Sequence, residues 1–175
     1  MKSVVCFLLI LFTILLCSCA VATDTEGMFD YQINVSRVEG TLKCGSETYG
    51  VILDFERSEG KNAVLKSVEY TSPESLSGFV FEKSEEEVTV KAGGISISGE
   101  NLDREKIFFA EKMFSLNAED IISITKDENG STVTVGENGS FKWQAVASKD
   151  GTPKKITVSD GKVEEILEVN NITYQ

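Results

Sequence analysis

Short runs of alternating apolar and polar residues, joined by glycine-bearing turns, constrain the fold of this 175-residue chain most strongly. In the run 47–56, tyrosine, valine, leucine and phenylalanine occupy every second position from 49 to 55. Such alternation is typical of a strand with one buried face and one face in water. Turn sequences such as Gly45-Ser46 and Gly93-Gly94 separate neighbouring runs. The pattern predicts a meander of antiparallel strands, with the first strand at 29–35.

Two segments break this pattern and indicate helical structure. Apolar residues from 107 to 116 recur at helical spacing, which predicts one helix over 102–116 with a broad apolar stripe. We expect this helix to lie across the concave face of the sheet. At 72–78, a serine that can cap and a proline at the first helical position precede Gly78, which predicts a short helical turn. The fold class is therefore mainly β (α+β), a curved antiparallel meander with one covering helix.

The first residues are typical of a processing signal. Lys2 precedes an apolar run from 4 to 17, which is too short to span a bilayer comfortably. The run ends in Leu16-Cys17-Ser18-Cys19, which resembles the bacterial lipobox. The resemblance implies that Cys19 receives a diacylglycerol and that the chain is cut just before it. Two interpretations remain beside this one: an ordinary secretory signal cut near residues 20–22, and an uncleaved signal anchor.

These features predict three parts of the chain. Residues 1–18 form a lipoprotein signal peptide, residues 19–28 a polar tether, and residues 29–175 a single domain. Acyl chains on Cys19 would hold the domain firmly at a membrane. We therefore expect a lipid-anchored protein on the extracytoplasmic face of the cell membrane, with the bilayer as its partner.

Composition narrows the possible functions. With 28 acidic and 17 basic residues, the net charge of −11 disfavours nucleic-acid binding. The chain has no histidine, the commonest general base and zinc ligand. After processing at Cys19, Cys44 alone remains as a free thiol, which predicts no internal disulfide and a buried, inert cysteine. No spacing of residues singles out a catalytic site, a metal site or a cofactor site, and we expect no enzymatic activity.

The order of these elements resembles the half-barrel lipoproteins related to LolA, LolB and RseB. The stretch 70–78 followed by a hairpin, and Gly94-Ile95-Ser96-Ile97, look most like uncharacterised relatives from Gram-positive clostridia. The resemblance implies an incomplete barrel that wraps an apolar cavity able to hold an acyl chain. By that implication, the covering residues are Phe109, Met113 and Phe114, and the lining residues are Leu53, Phe55, Tyr70 and Trp143.

Two classes of function remain open at this point. The first is a non-enzymatic envelope lipoprotein that binds a lipid-like ligand, or another envelope protein, in a half-barrel cleft. The second is a structural or interaction lipoprotein whose core is filled and takes no ligand. The aromatic residues of the helix and sheet fit either class.

Overall fold

Eleven antiparallel strands form one sheet in the computed structural model, which describes residues 27–57, 61–84, 87–99, 102 and 107–175. The strands are β1 Val35–Cys44, β2 Glu47–Glu56, β3 Val64–Ser72, β4 Phe79–Lys83, β5 Val88–Ala92, β6 Ile95–Gly99, β7 Ile121–Lys126, β8 Thr132–Glu137, β9 Lys142–Ala147, β10 Pro153–Ser159 and β11 Glu164–Tyr174.

The strand order makes the sheet an open, curved half-barrel. The order is β6-β5-β4-β3-β2-β1-β11-β10-β9-β8-β7, so β6 and β7 are edges and do not pair with each other. All neighbours follow each other in sequence except β1 and β11, which pair from Val35 opposite Tyr174 to Cys44 opposite Glu165. The predicted mainly-β antiparallel meander is confirmed.

The alternation of apolar and polar residues in the sequence corresponds to alternating buried and more exposed side chains in the strands. In β2, the side chains of Val51, Leu53 and Phe55 are buried on the inner face, while those between them are more exposed. The turns form where glycine was expected. Gly45, Gly93 and Gly94 have φ of 59°, 55° and 83°, a region that residues with a Cβ rarely adopt.

The inner face is covered by a segment rich in aromatic residues, as predicted. In its described part, this cover is a 3₁₀ helix at Phe109–Phe114, not a long α-helix, and residues 103–106 lie outside the described residues. Phe108, Phe109 and Ala110 are three consecutive buried residues. Phe108 stands just before the 3₁₀ helix, with φ of −105° and ψ of 26°, so its burial does not depend on the periodicity of that helix.

The predicted strand at 29–35 is wrong over most of its length. Asp30–Asn34 forms a short helix, α1, and β1 begins only at Val35. The alternation had placed Gln32 in water and Ile33 in the core, but Gln32 is fully buried and Ile33 is 41% exposed. Hydrogen bonds compensate for the burial of Gln32. Its amide oxygen accepts from Asn62 Nδ2 at 2.9 Å, and its amide nitrogen donates to the Leu116 carbonyl at 3.3 Å.

The predicted short helical turn is present between β3 and β4. The Leu76 N–H donates to the Pro73 carbonyl at 2.9 Å. The Ser72 hydroxyl does not cap it, and instead accepts from the Gly50 N–H of β2 at 2.7 Å. The predicted signal peptide 1–18 and Cys19 lie outside the described residues, as does the tether up to residue 26.

Candidate functional site

A cleft of about 300 Å³ lies on the inner face, at the end of the sheet that carries the 45–46 and 73–78 turns. We call it the inner-face cleft. Its lining residues are Leu42, Cys44, Tyr49, Tyr70, Leu76, Phe81, Phe109 and Glu165. Strands β1 to β4, β11, the turn after β3 and the cover each contribute to it. Its volume is at the small end of the range for ligand pockets.

One wall of the inner-face cleft is a row of aromatic rings. Tyr49 and Tyr70 pack edge to face with centroids 5.6 Å apart, and Tyr70 packs in the same way on Phe81 at 5.7 Å. The three residues come from β2, β3 and β4, which are neighbours in the sheet. Edge-to-face contacts hold the rings in place, so the wall presents a large apolar surface without needing a ligand to order it.

Glu165 places a carboxylate on an otherwise apolar face. It lies two residues before Leu167, which is fully buried, and therefore points to the same side of β11. Burial raises the pKa of Glu165, the ammonium of Lys112 on the cover opposes that rise, and the charge of Asp160 adds to it. The group is thus an acid that is partly removed from water.

Two acidic residues flank Cys44 in the sheet. Cys44 pairs with Glu165 on one side and with Glu47 on the other. Burial raises the pKa of the Cys44 thiol, and the two carboxylates raise it further. The Tyr49 hydroxyl donates to Glu47, and this hydrogen bond raises the pKa of Tyr49 to about 12. Cys44 is only half-buried, which corrects the expectation of a buried thiol; that it is inert stays a prediction.

Tyr70 and Phe109 are the predicted ligand-binding residues that line the inner-face cleft. The cover supplies Phe109, which is 8% exposed. Their part in ligand binding stays a prediction.

The other predicted ligand-binding residues lie in the packed core: Leu53, Phe55, Met113, Phe114 and Trp143. Phe55 and Phe114 have ring centroids 4.6 Å apart, and Met113 is fully buried. Trp143 packs edge to face on Phe29 at 5.9 Å. These side chains belong to the packed core, whereas the inner-face cleft lies beside Phe109, the first residue of the 3₁₀ helix.

Polar contacts hold the cover against the rest of the domain at two places. Glu111 forms an ion pair with Lys83 of β4, whose ammonium also lies 5.8 Å from the centre of the Phe108 ring. At the other end, the Leu116 carbonyl accepts from the buried Gln32 amide of α1. The cover is thus tied to the sheet beside the inner-face cleft and to the first helix of the domain.

A second cleft, of about 310 Å³, lies at the opposite end of the sheet. Met28, Phe29 and Tyr31 form one side, and the hairpin between β9 and β10 forms the other. Lys149 and Asp150 stand on its rim, so it is the more polar of the two. None of the predicted ligand-binding residues lines it.

Sequence reasoning missed most of the residues at the inner-face cleft: Leu42, Tyr49, Leu76, Phe81 and Glu165 as lining residues, and Cys44 as a rim residue. A signal for Glu165 was available, because it stands at an alternate position in the apolar row that contains Leu167 and Val169. An acidic residue in such a row is as informative as a buried polar residue, because charged side chains are rarely buried without a partner. Leu76 gave no signal, since it lies in a turn.

The described ranges contain no group of three or more histidine, cysteine, aspartate or glutamate residues placed to hold a metal ion. In the same part of the chain, no helix has the length and apolar character required to cross a bilayer.

Comparison with known proteins gives distant likenesses in structure. No protein-family model matches the chain, and no curated protein matches it in sequence. An uncharacterised conserved protein from Thermus thermophilus is similar at 15% identity and a TM-score of 0.49, over 87% of this chain and 88% of that one. The lipoprotein LppX of Mycobacterium tuberculosis is similar at 9% identity and a TM-score of 0.47, over 83% and 90%. A LolA superfamily protein from Nitrosomonas europaea is similar at 11% identity and a TM-score of 0.41, over 88% and 94%. At TM-scores below 0.5, these likenesses establish nothing about function.

Proposed function

We propose that this protein is a non-enzymatic cell-envelope lipoprotein that binds the acyl chain of a lipid-like ligand in the inner-face cleft. The observation that carries the proposal is the cleft itself, an open, aromatic-walled space on the inner face of the sheet beside the packed core. Binding would bury apolar surface and would need no covalent chemistry.

The size and lining of the cleft favour the end of an acyl chain as the occupant. Its volume of about 300 Å³ is roughly twice that of an engineered apolar cavity that takes up benzene. Tyr70, Phe81 and Phe109 would contact the chain, and their packing holds them ready for it. Pockets that bind small apolar ligands are usually preformed in this way.

A filled-core lipoprotein without a ligand is the competing function. The close packing of Phe55 on Phe114 and the full burial of Met113 favour it, because the middle of the core leaves no room for an acyl chain. The two functions therefore differ only in what the inner-face cleft does, and a test must address that cleft.

Blocking the cleft separates the two functions. The protein for this test is the chain from residue 19 with Cys19→Ser, and binding is the fraction of an apolar fluorescent probe that a competing ligand displaces. We expect Leu76→Trp to abolish this binding, because the indole would occupy the space beside Leu76. Ile122→Trp is the matched control, since Ile122 is 66% exposed on β7 and lies outside the cleft lining. Native mass spectrometry of the same proteins should show lipid on the parent chain and on Ile122→Trp only. Equal binding by Leu76→Trp and Ile122→Trp, or no binding by the parent chain, would contradict the proposal.

The membrane anchor is proposed on the lipobox-like sequence at the start of the chain. Cells that express the protein and are fed labelled palmitate should carry label on it in the membrane fraction. Cys19→Ala should lose the label, whereas Cys17→Ala should keep it, because only the final cysteine of a lipobox is acylated. Undiminished label on Cys19→Ala would place the acyl chain on another residue and rule out this anchor, whereas absence of label on the parent would leave a secreted protein or a signal anchor.

A further inference from the structure

We infer that the inner-face cleft selects amphiphiles whose head group has no negative charge and donates hydrogen bonds, such as an ammonium or a hydroxyl group. This inference rests on the proposed function and specifies its ligand. It follows from the position of Glu165 among the lining residues and from the charges that surround the mouth of the cleft.

Glu165 is the charged residue among those that line the cleft in the described part of the chain. Its carboxylate stands at the rim, across the β1–β11 pair from Cys44, while the aromatic wall lies on the other side. An acyl chain that lies along Tyr70 and Phe81 would therefore bring its polar end near Glu165. A carboxylate can accept hydrogen bonds from such a group but can donate none while it is ionised.

The charges that act on the lining residues are mostly acidic. Glu47 and Glu165 act on Cys44, and Asp160 acts on Glu165. Lys112 is the opposing cation, and its ammonium acts on both Asp160 and Glu165. It lies with them in an adjoining hollow of about 170 Å³ on the far side of Glu165. An anionic head group would meet two carboxylates before reaching that cation.

Other polar groups at the cleft do not favour an anion. The Tyr49 hydroxyl already donates to Glu47, so its proton is not free for a ligand. Burial raises the pKa of Tyr70, so its phenol stays neutral and brings no positive charge to the cleft. A head group with its own donors would pair with Glu165 and replace the water that this half-buried carboxylate loses on binding.

Three probes with twelve-carbon chains test the selection: dodecylammonium, dodecanoylglycerol and dodecanoate, each below its critical micelle concentration and near neutral pH. Binding to the chain from residue 19 with Cys19→Ser is measured by calorimetry. Leu76→Trp fills the cleft, so probe binding to this variant reports only attraction to the acidic surface. This contribution is subtracted from the binding measured for the parent chain. We expect the ammonium and glycerol probes to bind at least about tenfold more tightly than dodecanoate.

Glu165→Gln keeps the shape of the side chain and removes the charge. We expect it to bring the three affinities to within about threefold of one another. Glu164→Gln is the matched control, because Glu164 is the exposed neighbour on the opposite face of β11, and it should leave the preference unchanged. A thermal melt of each variant confirms that it is folded.

The outcomes separate this inference from the function on which it rests. Dodecanoate that binds as tightly as the other two probes would overturn the selection and leave acyl binding intact. A preference that survives in Glu165→Gln would also overturn it, because the charge would then come from elsewhere. Failure of all three probes to bind would remove the proposed function itself.

Discussion

Truncating one buried ring and one cleft ring separates residues that hold the fold from residues that hold a ligand. Phe114 is 2% exposed, and its ring lies 4.6 Å from that of Phe55 and 6.1 Å from that of Tyr31. Replacing a buried phenylalanine with alanine costs about 3–5 kcal/mol. The two ring contacts place Phe114→Ala in the upper half of that range, since aromatic pairs add roughly 0.5–1.5 kcal/mol each.

Phe81 gives the contrasting result. Its side chain is half-buried on the wall of the inner-face cleft, so Phe81→Ala should cost only about 1–2 kcal/mol of unfolding free energy. We expect it to weaken binding of an acyl probe about tenfold. Phe114→Leu, which keeps most of the volume and should cost about 1–2 kcal/mol, should change that affinity less than about threefold.

Urea unfolding followed by tryptophan fluorescence measures the stabilities. The chain has a single tryptophan, Trp143, which is 2% exposed in the folded domain and should report its unfolding. Probe titration measures the affinities. A small loss of stability in Phe114→Ala together with a complete loss of binding would refute the reasoning, because Phe114 would then line an open cavity.

Further predictions concern the polar network and the rim thiol. Gln32→Ala should lower the free energy of unfolding by about 2–4 kcal/mol, because it removes a fully buried side chain and leaves the Leu116 carbonyl without its donor. Asn62→Ala should cost about 1–3 kcal/mol, because the buried Gln32 amide oxygen loses its donor; urea titration measures both. In the chain from residue 19 with Cys19→Ser, where Cys44 is the single thiol, alkylation of Cys44 should have its midpoint above the usual pH for cysteine, since burial, Glu165 and Glu47 raise its pKa. Glu165→Gln removes one of these charges and should move the midpoint to lower pH; an unmoved midpoint would show that Glu165 does not act on the rim.

Most of the strands were predictable because they carry their own alternation and many end at a turn that contains glycine. The run 47–56 became β2 with the expected residues on the inner face. The same rule failed at 29–35, where the period of two is too short a signal to separate a strand from one helical turn. What decided that segment was the burial of Gln32, which depends on Asn62 and Leu116, far away in sequence.

The position of the open volume was not predictable from sequence. The pattern placed aromatic residues on the inner face, but it did not show which would pack under the cover and which would stand beside it. Phe55 and Tyr70 both stand in the apolar rows of strands, yet Phe55 fills the core and Tyr70 lines the cleft. That difference depends on where the cover crosses the sheet. The cover contacts β3 and β10, and these contacts join residues far apart in sequence.

Photocrosslinking with a dodecyl alcohol that carries a diazirine near its chain end tests the central claim most directly. Peptide mapping after irradiation should locate saturable crosslinks on residues of the inner-face cleft, chiefly Tyr70, Leu76 and Phe81, and excess unlabelled alcohol should remove them. Crosslinks confined to the second cleft, at Met28 or Tyr31, or crosslinks that never saturate, would contradict the account.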